Sequence, residues 1–553
     1  MTATLNSSQR QAPSPASAKQ SSLAGMWTLL RFMLRRDRIR TSAWVVGVGF
    51  SGLVFASAMT SVYETQEDVE GIAAILEDPV MRMMVGPAFG VDAPTHERMF
   101  SAGFVLFIYI AIALFSVFTV VRHTRAEEQS RRAELVRSNV VGRHATLTAT
   151  ILLSTAANLV IAALLCIGEL AADFGSRGSV LIAAGGFVLG MFFTGVATVT
   201  VQLSESARAS SAMAGAVLGL AYLVRMGGDM AEAGGTALSW FSPLAWSQQT
   251  APFVQDRWWP LLIPAVFAVV LIWLGYFLST KRDVQASMFA TRLGRAEAKR
   301  SLGTPLGMAG RTLRGGLRGW GIALTLTGLI FGSFAQAMMD AADDLPEQMA
   351  QMFSGDDMML GYLAFMGVFM AIFIAAAGVS GLQQLRGEEN HGRAEYAMST
   401  PVGRTTWLGS HLAVLIIGVA AILALAGLGM GIGAAAALDE GGGEHFGPLL
   451  LATTLQIAPV LAVIGIVTAL FGWIPRAANT VGWLMIGFGG LVTTFSGMLD
   501  LPDWLVQLNV FSQLAEYPVE DIDWAPILAL SAIGFGGILL GLIGWNRREV
   551  NRV

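Results

Sequence analysis

Twelve charged residues fall into one pattern that the sequence uses twice. Arg125, Glu127, Glu128, Arg132, Glu134 and Arg143 form the first set, and Arg386, Glu388, Glu389, Arg393, Glu395 and Arg404 the second. The segments 125–143 and 386–404 align without a gap, and 10 of their 19 positions are identical. Arg and Glu three or four residues apart share one helix face, where each pair contributes only about 0.2–0.5 kcal/mol. This is pairing and docking chemistry, not bond-making chemistry. Gly142 and Gly403 are expected to stop the helix, with Pro401 reinforcing the break in the second copy. On the residues alone two readings stand: a solvated helix held by its own ion pairs, or a docking surface kept in duplicate.

No catalytic set accompanies the repeats. The dipeptide Gly-Lys never occurs, so there is no phosphate-binding Gly-x-x-x-x-Gly-Lys-[Ser/Thr] loop. There is no His/Cys/Glu spacing for a metal and no nucleophile elbow, and Cys166 is the only cysteine. His391 aligns with Ser130 and reads as a surface histidine. The chain is expected to be a non-enzyme with no metal and no cofactor of its own, and nothing in it points to nucleic acid.

The elements that position the repeats are apolar. Of 553 residues, 54% are hydrophobic and 13% charged, with a mean hydropathy of +0.59; soluble domains carry about 25% charged residues. Twelve uncharged runs are expected to span a membrane: Thr41–Tyr63, Met99–Val121, His144–Gly168, Gly178–Ser204, Ala209–Val224, Trp258–Thr280, Gly319–Met339, Met358–Leu385, Thr405–Leu438, Phe446–Pro475, Ala477–Leu499 and Trp524–Asn546. About 20 residues at 1.5 Å rise cross a hydrocarbon core of roughly 30 Å. Ala209–Val224 is short, and Arg225 is expected to snorkel outward and extend it. With alternating loops, the side holding the N-terminus carries 30 Lys and Arg against 11 Asp and Glu, and the other side 5 against 28. Basic loops stay in the cytoplasm, so both termini are expected on the cytoplasmic side.

The halves repeat. Arg547-Arg-Glu-Val550 matches Lys281-Arg-Asp-Val284, and such landmarks recur at offsets of 261 to 268. The organisation read from this is a disordered cytoplasmic N-terminus (1–22), a first six-span half (23–280), a linker with an amphipathic helix (281–316) and a second six-span half (317–553). Six spans per half make the repeats parallel, related by an axis along the membrane normal. Met26–Arg36 and Leu302–Trp320 read as amphipathic helices on the inner leaflet. The first apolar run follows Arg35-Arg36-Asp37-Arg38, a cytoplasmic flank and not a cleavable signal. The segment 239–259, with Trp240, Trp246, Trp258 and Trp259, reads as an interfacial belt.

The pattern Arg-x-Glu-Glu…Arg-Ala-Glu…Val-Gly-Arg between the second and third spans of each half resembles the fused permease subunits of type-2 ATP-binding-cassette (ABC) exporters, in particular actinobacterial polyketide-antibiotic and multidrug efflux permeases. The resemblance covers essentially the whole chain. It implies an all-α polytopic membrane protein with elbow helices before spans 1 and 7. It also implies coupling helices at Arg125–Arg143 and Arg386–Arg404, on which two copies of a separate cytoplasmic ATPase dock. ATP and Mg2+ would bind that partner. The implied activity is efflux of hydrophobic antibiotics by alternating access. The copies differ at Asn139-Val140 against Thr400-Pro401, and at Arg131 against Gly392.

Adaptable apolar side chains suit a large hydrophobic cargo. Phe104, Phe107, Phe365, Met366, Phe369 and Met370, on equivalent spans, are the candidate cavity wall, with lipid-facing or packing roles as the alternative. Gly427, Gly429, Gly431 and Gly433 allow close helix approach. The other functional readings are a lipid or glycolipid exporter, a non-translocating sensor or immunity protein, and a proton-driven carrier. The last is disfavoured because no run needs a charge at membrane depth to reach spanning length.

Overall fold

In hydrocarbon a backbone has to satisfy its own hydrogen bonds, which leaves helices as the local solution for long apolar runs. Every described element is accordingly helical. The computed structural model describes residues 21–77, 79–130, 141–204, 206–281, 297–340, 358–438, 443–499 and 502–548. Among them, ten helical stretches are long and apolar enough to cross a membrane. The chain is an all-α polytopic membrane protein, divided into two compact units, Met1–Leu293 and Gly294–Val553.

Among the described residues, ten of the twelve expected runs meet that length and hydropathy. Gly319–Met339 belongs to a helix, Pro305–Ser333, that carries Arg311, Arg314 and Arg318 and ends soon after its apolar half begins. Ala477–Leu499 falls on Pro475–Leu499.

The first unit opens with α1 (Met26–Arg36), the expected amphipathic helix, which buries Leu29 and Met33 against Ala145, Ala149 and Leu153. Asp37 separates it from α2 (Arg38–Val62). Residues 64–98 are not an open loop but fold into α3 (Gln66–Glu77), α4 (Pro79–Val85) and the start of α5 (His96–Gly103). Then come α6 (Val105–His123), α7 (Arg125–Gln129), α8 (Ala145–Ala171), α9 (Ser176–Leu203), α10 (Ala207–Ala231), α11 (Pro243–Gln248) and α12 (Leu262–Lys281).

Helices α6 and α9 form the centre of this unit. Gly185, Gly186 and Gly190 of α9 leave room for Tyr109, Ile112 and Asn158. A polar seam crosses the contact: Ser154 and Thr194 share a 2.7 Å hydrogen bond, and Asn158 donates to Ser116 Oγ at 3.0 Å. Such bonds between spanning helices are worth about 0.6 kcal/mol on average.

Arg225 does not snorkel outward. It is fully buried, pairs with Asp229 at 3.0 Å and donates to the carbonyl of Met83 at 2.5 Å. The ends of α4 supply the acceptors that water would otherwise provide. Trp246 is also buried, donating to Trp240 O at 2.6 Å and stacking on Phe267, so it takes no part in an interfacial belt. Trp258 and Trp259 are exposed.

The second unit contains α13 (Pro305–Ser333), α14 (Ala335–Asp340), α15 (Met358–Asn390), α16 (Arg393–Met398), α17 (Arg404–Ala437), α18 (Phe446–Leu455), α19 (Ile457–Trp473), α20 (Pro475–Leu499), α21 (Asp503–Leu508) and α22 (Trp524–Arg547). The amphipathic segment expected as a separate helix over Leu302–Trp320 is continuous with the apolar segment in α13. It lacks an interruption like the one at Asp37, and glycines bring its apolar half close to α17. Gly328 and Gly332 of α13 lie on the backbone of α17, and Gly429 and Gly433 of α17 lie on the backbone of α13. Of the four glycines singled out in the sequence, these two make the close approach. Gly427 and Gly431 instead face Thr453 and Phe446. A second interface of this kind joins α19 to α22, through Gly465 and Gly472 against Gly534, Gly537 and Gly541.

Candidate functional site

Both charged repeats start on the end of a spanning helix. In the second unit α15 is 33 residues long, about 50 Å at 1.5 Å per residue, well beyond a roughly 30 Å hydrocarbon core. Its last turns carry Arg386, Glu388 and Glu389. Glu389 is buried and accepts from Arg386 Nη1 at 2.5 Å and from Arg548 Nη2 at 2.8 Å. The Arg548 guanidinium lies over Trp545 and Phe471, at 4.7 and 5.0 Å from the ring centroids. Burial pulls the Arg548 pKa down, while Glu389 opposes that shift.

The helix breaks at Gly392, whose φ of 71° is in the left-handed region that glycine adopts without strain. Glycine stops the helix here, not at Gly403, which instead leads into α17. The turn rotates Arg393 away from Glu389, so the expected Glu389–Arg393 pair does not form. Arg393 pairs with Glu388 at 2.8 Å. The short helix α16 follows and ends at Met398, ahead of Pro401. Its most prominent side chain is Tyr396, 77% exposed. Arg404 closes the segment by donating to the carbonyl of Arg548.

In the first unit Thr124 separates α6 from α7, and Arg125 pairs with Glu128 at 2.5 Å, both residues buried. Glu127 pairs with Arg36 at 2.8 Å. Gln129 Oε1 accepts from the amide of Ala207 at the start of α10. Arg132 and Glu134 lie outside the described residues. Where the chain resumes, Gly142 N donates to Ala24 O at 2.9 Å and His144 N to Ser22 O at 2.9 Å. A β-carbon at Gly142 would collide with the Ser22 backbone, so glycine serves a close chain crossing here. Arg143 reaches the carbonyls of Ser279 and Thr280 at the end of α12.

A charged joint adjoins this repeat. Asp37, between α1 and α2, accepts two bonds from Arg122, 2.5 and 2.7 Å, and lies 3.2 Å from His123 Nε2. The Arg122 hydrogen bonds hold the Asp37 pKa down to about 2, against the opposing effect of burial.

The six candidate cavity residues divide between the two units. Phe104 stacks on Phe55 at 5.1 Å, and Phe107 is exposed. Phe365 and Phe369 stack at 6.4 Å, Met366 is half-buried and Met370 fully buried. No cluster of three metal-ligating side chains occurs among the described residues.

Sequence reasoning missed three residues. Tyr396 was legible only as the apolar position beside Glu395, matched by Leu135 beside Glu134. Asp37 read as part of a basic flank. Glu169 read as the charge that ends a run, yet it is fully buried on α8, and neither carboxylate oxygen has a partner among the described residues. Ser179 lies beside it but turns its hydroxyl to Gly175 O at 3.1 Å.

The family described as "Multidrug efflux system permease Rv1217c, C-terminal domain" matches residues 27–278 and 302–546. The multidrug efflux system permease protein Rv1217c of Mycobacterium tuberculosis (strain ATCC 25618 / H37Rv) is 35% identical over 556 residues, covering 100% of each chain. The chain belongs to this family of multidrug efflux permeases.

Proposed function

We propose that this chain is the membrane subunit of an ATP-driven ABC exporter, and that separate ATPase subunits dock at its two charged repeats. The observation that carries the reading is the division of labour within the second repeat. Glu389, Arg386 and Arg548 are turned inward as a base, and α16 presents Tyr396 outward at the tip. An exposed aromatic on a braced helix suits a docking contact, because Tyr is enriched among residues that dominate interface energy. Two charged repeats suit two ATPase copies, with ATP and Mg2+ bound on those partners. In this reading both termini are cytoplasmic, α13 and α20 bring the spans to twelve, and ATP closure drives alternating access. Hydrophobic drugs are the cargo, in keeping with the name of the mycobacterial relative.

Co-purification from gently solubilised native membranes tests the assignment. The expected result is a cytosolic subunit bearing a phosphate-binding loop, at two per permease. Tyr396→Ala should lower its retention roughly tenfold or more without changing the permease Tm. A permease that runs alone under cross-linking would overturn the reading.

A further inference from the structure

The first unit contains a small cavity that the transport reading does not use. It is a shallow cleft, open to solvent, between α2 and α6 at the charged joint around Asp37. Its rim carries Arg40, Thr41, Thr119 and Arg122, and its wall carries Trp44 and Phe118. Trp44 packs against Phe115 and Phe118 with ring centroids 6.0 and 6.4 Å apart. Phe118 stays 37% exposed.

The charges are unequal in use. Asp37 is already satisfied by Arg122, Arg36 and His123. Arg40 has no hydrogen bond or ion pair among the described residues, although it lies next to a second arginine. Two guanidinium groups beside one occupied carboxylate leave the rim positive. A basic rim above an aromatic wall, at the end of a spanning helix, matches an amphiphile with an acidic head and an acyl tail.

At the repeat offset of 261, Gln383 and Gln384 stand where Arg122 and His123 stand in the first unit, and Gln384 is occupied with Thr312 O at 2.8 Å. Arg122 is therefore a feature of one unit and not a general requirement of the fold.

We propose that this cavity holds an anionic phospholipid of the inner leaflet, its phosphate between Arg40 and Arg122 and its first acyl carbons along Trp44 and Phe118. The sidedness rests on the orientation proposed above; the binding itself does not depend on ATP or on transport.

The test uses the purified full-length permease without any partner, and native mass spectrometry to measure lipid retention. The probes are phosphatidylglycerol, phosphatidylcholine with the same acyl chains, and glycerol phosphate without chains. Phosphatidylglycerol is expected to be retained over phosphatidylcholine, and glycerol phosphate not to compete. Arg40→Gln should weaken phosphatidylglycerol retention about fivefold, the effect of one arginine near an acidic headgroup, with Tm unchanged. Arg40→Lys should restore most of it. Equal retention of the two lipids, or an unchanged Arg40→Gln protein, would overturn the proposal. Competition by glycerol phosphate would reduce the cavity to a simple anion site and overturn it as well. Absence of drug efflux would sink the transport reading and leave this result standing.

Discussion

Arg404 donates to the backbone carbonyl of Arg548 at 2.7 Å, and Arg143 makes the same bond to Thr280 at 2.8 Å. The last arginine of each repeat thus closes the C-terminal end of the last spanning helix of its unit. Helix ends leave carbonyls without partners, and a cation there is favourable both as a donor and toward the helix dipole. Arg404→Ala is expected to cost about 1 kcal/mol, read as a small fall in Tm, with Arg404→Lys recovering part of the loss. An unchanged Tm would show that water replaces the bond at no cost.

Glu389 and Tyr396 should separate by assay. Glu389 is buried between two arginines, so Glu389→Gln leaves uncompensated charge and should destabilise by about 3–5 kcal/mol. Chemical denaturation of the detergent-solubilised protein measures this. Tyr396→Ala should stay within about 0.5 kcal/mol of wild type in that experiment, as exposed positions do. Equal stability loss in the two variants would place Tyr396 in the brace and not at the tip.

Asp37 gives a pH dependence of definite sign. Its pKa is held near 2, below the ordinary value of about 3.9. A depressed carboxylate contributes stability above its unfolded pKa and loses it as pH falls through the folded one. The Tm gap between wild type and Asp37→Asn should therefore hold constant from pH 7 to about pH 4 and close toward pH 2. A gap that closes between pH 7 and 5 would show that the Arg122 hydrogen bonds do not hold the Asp37 carboxyl below its ordinary range.

Gly433 tests the packing of α17 on α13. A side chain there would overlap the Leu329 carbonyl, which belongs to a helix backbone and has no rotamer to change. Gly433→Leu should cost several kcal/mol, at or above the 1–3 kcal/mol typical of overpacking. Gly536→Leu on α22, where a β-carbon meets nothing, is the control and should be neutral. Similar Tm losses in both would point to backbone flexibility as the cause.

Glu169 is a buried carboxyl without a hydrogen-bond partner among the described residues. Unpaired polar groups are costly to bury, so Glu169→Leu should raise Tm. Loss of drug efflux with a raised Tm would mark Glu169 as a residue retained for function.

Much of the architecture could be read from the chain because its cause is local. Apolar runs between charges dictate spanning helices, and α1 has the bounds that its basic and apolar periodicity suggested. The glycines of α17 were legible as a set, but which of them meet a neighbour depends on helix rotation, which no run of letters specifies. The charged sites were less legible for the same reason. Arg386–Glu389 follows from spacing within one helix. Arg548–Glu389, Arg122–Asp37 and Arg143–Thr280 join residues 85 to 159 positions apart, and only tertiary packing brings them together. Arg225 was misjudged because snorkelling assumes that the nearest polar medium is water. Here the nearer one was the backbone of α4.

The joint at Asp37 and the unbroken α13 have different mechanical consequences. A break between two helices can change its angle only by breaking what braces it, and at Asp37 the brace is the pair of bonds from Arg122. A single 29-residue helix is a beam, and tilting its amphipathic end must tilt its apolar end. A displacement of α1 is therefore met first at a side-chain ion pair, whereas one of the start of α13 is delivered to the glycine contact with α17.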